Sequence, residues 1–123
     1  MLMSLYDRLR ALLEQSGFTA YPQDAVPAAA ALPLVTCLID PPATYAGAGS
    51  ITLTLWTTPD IPHAERLLMA DRLLQCVPPG GRLLPLPGGI AAVFRPDERL
   101  LSFPEKRGAM GVRIRLALRL AHK

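Results

Sequence analysis

The chain has no asparagine, two lysines among thirteen basic residues, two cysteines and one tryptophan. Each scarcity removes a class of explanation. Cys37 and Cys76 stand singly in apolar stretches, outside any CxxC or Cys/His cluster, so they cannot build a zinc site. Two buried free thiols are expected, although sequence leaves a disulfide between them open. No apolar run approaches the roughly 18 residues of a membrane span, because charges or prolines interrupt each one. The opening MLMSLYDRLR mixes acids and bases and shows no basic-then-apolar leader. A soluble cytoplasmic protein without membrane contact is the expectation.

Catalytic patterns are equally sparse. Gly80-Gly81 and Gly88-Gly89 lack the GxxxxGK[ST] or GxGxxG spacing that aims backbone amides at phosphate, and they read as turns. Asp97 and Glu98 are adjacent acids without a second carboxylate cluster, as in a solvated loop. His63 has no recognised spacing to either cysteine and reads as a surface residue in the first turn of a helix. No catalytic, cofactor or metal residue is assigned, and an enzyme is not expected.

What the chain does have is apolar content and charge polarity. Half of its 123 residues are hydrophobic, enough for one domain spanning 1–123 that buries roughly two thirds of its unfolded surface. Residues 1–81 carry four basic and seven acidic side chains, and residues 82–123 carry nine and three. Such polarity suits an anionic partner, or two unlike surfaces that meet when identical subunits associate head to tail. Eleven of the thirteen basic residues are arginine, and Ala, Gly, Pro and Leu abound. A GC-rich coding sequence gives the same composition, so arginine richness alone carries little functional weight.

Periodicity predicts the elements. Leu5, Leu9, Leu12 and Leu13 make a helix over 4–16, with Ser4 as N-cap, Asp7 three residues on, and Gly17 closing it. The proline-rich 19–33 stretch is a connector. Residues 34–40 and 50–58 are strands expected to pair antiparallel, and 41–49 is a loop long enough to act as a contact arm. A second helix over 61–76 is capped by Asp60. Its predicted buried stripe is Ala64, Leu67, Leu68, Leu74 and Val77, with Met69 and Leu73 beside it and Glu65, Arg66, Asp71 and Arg72 in water. Two short runs about Pro87-Gly88-Gly89 suggest a hairpin, with Pro85 marking an edge. Residues 95–111 read as a polar excursion around an apolar island at 100–103, and a strand over 110–121 closes the domain. The predicted class is α+β, a mixed or mainly antiparallel sheet of about four to five strands with both helices on one face.

The last strand holds the most regular pattern in the chain. GVRIRLALRL alternates Val112, Ile114, Leu116, Leu118 and Leu120 with Arg113, Arg115 and Arg119. One side is committed to the core. The other is a basic row open to three readings: a solvent face, a subunit interface with Ala117 and Ala121 leaving room between arginine stems, or a small nucleic-acid-binding module on the outer sheet face. Trp56 and Tyr45 are the only aromatics placed to join that row as candidate interface or DNA-proximal residues.

The layout resembles the tail-terminator and tail-completion proteins of long-tailed bacteriophages and prophages. The likeness runs through the short first helix, the connector into LPLVTCLIDPP, the passage SITLTLWTTPDIPHAERLLMADRLLQCV and the closing GVRIRLALRL, with 78–96 matching least. It implies a non-enzymatic virion structural protein. Such a protein forms a homo-oligomeric ring, typically hexameric, at the head-proximal end of the tail tube and joins it to the head through connector proteins. DNA would pass through the lumen without sequence-specific binding. The implied location is the host bacterial cytoplasm during assembly and the virion neck afterwards. The resemblance transfers no site residue, and the nucleic-acid module stays the alternative.

Overall fold

The computed structural model describes residues 2–42, 47–96, 101–106 and 108–122. In chain order the elements are α1 (Leu2–Gln15), β1 (Ala20–Pro22), β2 (Leu34–Asp40), β3 (Gly49–Thr57), α2 (His63–Leu74), β4 (Arg82–Leu86), β5 (Gly89–Phe94), β6 (Leu101–Ser102), β7 (Glu105–Lys106) and β8 (Ala109–His122). The sheet runs β1-β2-β3-β8-β5-β4, with β6 and β7 also paired to β8. The α+β class holds. Among the described residues the sheet has eight strands rather than four or five, and it is mixed because β1 joins β2 in parallel while the other pairs are antiparallel.

β8 is the spine. Its fourteen residues pair with β3 along one edge, and with β7, β6 and β5 in turn along the other. A strand this long, bordered by different partners at its two ends, lets the right-handed twist accumulate until the sheet curls into a half-barrel. Helix α1 contacts both β1 and β4, the two ends of the path, and so lies across the opening of the curl.

The core fills the space between helices and sheet. Val112, Ile114, Leu116 and Leu118 of β8 join Ile51, Leu53 and Leu55 of β3, Leu5, Leu9 and Leu13 of α1, and Ala70 and Leu73 of α2 in one cluster. Fully burying one such leucine is worth about 1.5–3 kcal/mol, so this alternation drives the topology. The predicted side of GVRIRLALRL is thus the core side, with Leu120 partly buried at its end.

Both helices are tied at their C-termini. Gly17, at φ +90°, follows α1 as the Schellman geometry requires, with Gly17 N–H donating to Glu14 O and Phe18 N–H to Leu13 O. Arg72 of α2 donates to Ser16 O at 3.2 Å and lies 5.0 Å from the Phe18 ring centroid. Arg95, just after β5, donates to Leu74 O and Val77 O at 3.0 and 2.9 Å, at the end of α2. Each guanidinium supplies donors where helix carbonyls have no intrahelical partner.

Several local expectations change. Ser4 lies inside α1, which begins at Leu2. The residue before α2 is Pro62, without a side-chain cap, while Asp60 is held below the usual carboxylate range by hydrogen bonding with Thr58 and its own backbone. The buried face of α2 is Arg66, Ala70 and Leu73, whereas Ala64, Leu67 and Leu68 face outward. Arg66, expected in water, is 3% exposed. Strands β1, β6 and β7 fall in stretches read as connector and polar excursion. Of the proposed 41–49 arm, residues 43–46 lie outside the described residues, as do Asp97 and Glu98.

Candidate functional site

The outer face of the sheet, opposite the core, is laid out by register. Three cross-strand rows run over β2, β3 and β8: Leu38, Thr52 and Arg115; then Thr36, Thr54 and Arg113, extended by Ser102 of β6; then Leu34, Trp56 and Gly111. Directly opposed side chains stand about 4.5–5.5 Å apart at Cβ, so each row is a set of contacts. The threonines of SITLTLWTT therefore stand beside the arginines of GVRIRLALRL.

Trp56 closes the third row rather than opening it. Its indole lies over Gly111, where an added Cβ would stand 3.0 Å from Cζ3, and its Nε1–H donates to Thr36 Oγ1 at 3.2 Å. Lys106 Nζ sits 5.1 Å from the ring centroid. At 6% exposure the tryptophan offers no ring face for stacking a base. Tyr45, the other aromatic proposed beside the arginines, lies outside the described residues.

The three arginines separate. Arg113 is half-buried and Arg115 exposed, and both border one hollow of about 380 Å³ together with Gln23, Leu38, Thr52 and Ser102. Arg119 lies further along β8, opposite Ala92 of β5 and outside that hollow. Around it the outer face turns apolar, because β4 and β5 set Leu83 against Ala92 and Pro85 against Ile90. Leu83 is 67% exposed.

Two further hollows adjoin the first through Gln23, which borders all three. One, of about 430 Å³, runs from Trp56 and Thr36 past Lys106 to the 23–32 segment. The other, of about 470 Å³, lies where β1 ends and leaves the side of β2 uncovered; Leu2, Met3, Tyr6 and Leu38 border it. The Tyr6 hydroxyl is buried there without a hydrogen-bond partner, and burial raises its pKa.

The cysteines are both free and buried, as read from the sequence. Burial pushes the Cys37 thiol up to about 12, which keeps it protonated and poorly nucleophilic near neutrality. Cys76 Sγ packs 3.2 Å from Ser16 Oγ. His63 is exposed with its ring tilted against Phe103 at 5.7 Å. Among the described residues no group of three His, Cys, Asp or Glu side chains is placed to hold a metal, and no helix is long and apolar enough to cross a membrane.

Sequence reasoning did not find Gln23, Thr52 or Ser102. Thr52 had a signal, since SITLTLWTT alternates Ile51, Leu53 and Leu55 with Thr52 and Thr54. Ser102 had none, because it reaches Arg113 only through a two-residue strand inside an irregular stretch. A scan against protein-family models finds no match for this chain, and no curated protein sequence matches it.

Proposed function

We propose that this chain is a phage or prophage tail-terminator or tail-completion protein, a structural subunit that assembles into a ring at the head-proximal end of the tail tube and joins it to the head. The observation that carries this reading is a pair of unlike apolar surfaces on one small domain. One is the hollow bordered by Leu2, Met3 and Leu38, where Met3 is 69% exposed. The other is the outer face of β4 and β5, with Leu83, Pro85 and Ile90. A ring built by rotation pairs one surface of each subunit with a different surface of the next, so it needs two unlike patches on every copy. Apolar patches of this kind on a small domain point to association rather than to a solvent-facing role.

Particles produced without this protein test the reading. Tails of irregular length, or tails not joined to heads, are expected; normal tails attached to heads would sink it. Light scattering coupled to size exclusion gives the subunit number, and Leu83→Glu is expected to lower it by placing a charge within the contact.

A further inference from the structure

We propose that the hollow between Arg113 and Arg115 is a binding site for a phosphate group. Register builds it: Arg113 is directly opposed by Thr54 and Ser102, and Arg115 by Thr52. The two arginines are two residues apart on one strand, so their Cα atoms are about 7 Å apart and both guanidinium groups can reach the same small ligand. The hollow is lined by Arg113, Arg115, Thr52, Ser102, Gln23 and a single apolar residue, Leu38. Apart from Leu38, every one of these side chains carries a hydrogen-bond donor.

Among the described residues, no carboxylate forms an ion pair with Arg113 or Arg115. Arg113 is half-buried, so its guanidinium is partly withdrawn from water and aimed along the hollow's border. The donor set favours phosphate over a carboxylate: two planar forks plus hydroxyls and an amide exceed what two carboxylate oxygens can accept, and suit a tetrahedral group with three or four. Asp24 and Lys106, of opposite sign, border the adjoining hollows rather than this one.

The phosphate can come from free phosphate or from a nucleic-acid backbone. Trp56 is buried and offers no ring face to a base, so the contact proposed here is to phosphate, which carries no sequence information. The site does not depend on ring formation, since all six bordering residues belong to one chain.

The test is titration of the purified full-length chain at low ionic strength with inorganic phosphate, with a mixed-sequence single-stranded oligonucleotide and with acetate, followed by amide and arginine Nε chemical shifts. Phosphate is expected to shift residues 52, 102, 113 and 115. Arg113→Gln and Arg115→Gln should each weaken binding by about tenfold or more, the loss typical of a hydrogen bond to a charged group. Arg113→Lys, which keeps the charge but not the fork, is expected to fall between. Ser102→Ala, which leaves the charges in place, should weaken it modestly. Arg119→Gln removes an equal charge outside the hollow and should leave affinity nearly unchanged. Oligonucleotide binding with the same sensitivities assigns the backbone as the source, and binding of inorganic phosphate alone assigns the free ion. Acetate competing as well as phosphate, an equal loss in Arg119→Gln, or no phosphate-dependent shifts would overturn the proposal.

Discussion

Arg66 donates its Nε–H to Thr57 Oγ1 at 2.8 Å, and the same hydroxyl donates to the Met110 carbonyl at 3.1 Å. Thr57 is fully buried and thereby couples the end of β3 to both α2 and the start of β8. The guanidinium also reaches the carbonyls of Thr58 and Ile61, so this buried cation is met by the turn that leads into its own helix. Thr57→Val keeps the shape but removes both hydrogen bonds, and should lower unfolding free energy by about 2–4 kcal/mol. Thr57→Ser keeps the hydroxyl and should retain most of it. Urea unfolding of the two variants is the check; equal midpoints would show the hydroxyl to be dispensable.

Gly111 permits the close approach of Trp56. A methyl group there would stand 3.0 Å from the indole and 3.1 Å from Pro104 Cγ. Gly111→Ala should therefore cost about 1–3 kcal/mol, as overpacking does. Since the chain has one tryptophan, its fluorescence reports this site without interference. Emission should move to longer wavelength and become more open to iodide quenching in the variant.

Burial of Cys37 makes stability fall at alkaline pH. Its thiol is raised from 9.0 to about 12 in the folded chain, so between those values the unfolded state loses the proton first. The contribution is complete below pH 9.0 and is lost as pH rises toward about 12, at up to about 1.4 kcal/mol per unit. Cys37→Ala should flatten that decline in a series of urea unfolding curves. In the native protein at neutral pH, both cysteines should resist a thiol reagent until the chain unfolds.

The two arginine clamps on the helix ends should differ in strength. Arg95 makes two part-buried hydrogen bonds to carbonyls, and Arg95→Ala should cost about 1–3 kcal/mol. Arg72 is exposed, with one hydrogen bond and the Phe18 ring beneath it, so Arg72→Ala should cost only about 0.5–1 kcal/mol. Thermal unfolding should rank the two variants in that order, and the reverse ranking would contradict the assignment.

Strong periodicity makes much of the frame legible in the sequence. The strand at 34–40 has the boundaries that its β-branched and apolar content indicated, and the core side of the last strand is the apolar side of its alternation. Pro85 does lie in a strand at the end of the sheet path. The phase of α2 was not legible, because its apolar residues run round the helix and two different stripes satisfy the same period. Polar partners at Thr57, Thr58 and Ile61 selected the face that buries Arg66.

The candidate site divides in the same way. Alternation within SITLTLWTT and GVRIRLALRL determined which side chains leave the core, because successive residues of a strand point to opposite faces. Only the tertiary structure decided which of them meet. The antiparallel register set Thr52 beside Arg115 and Thr54 beside Arg113, β6 brought Ser102 to Arg113 from a distant stretch of chain, and Gln23 arrived after β1. Register is a relation between strands fixed by the packing of their buried sides, and a one-residue slip would carry every arginine to the other face. A single strand's pattern therefore holds the direction of its side chains but not the identity of their neighbours.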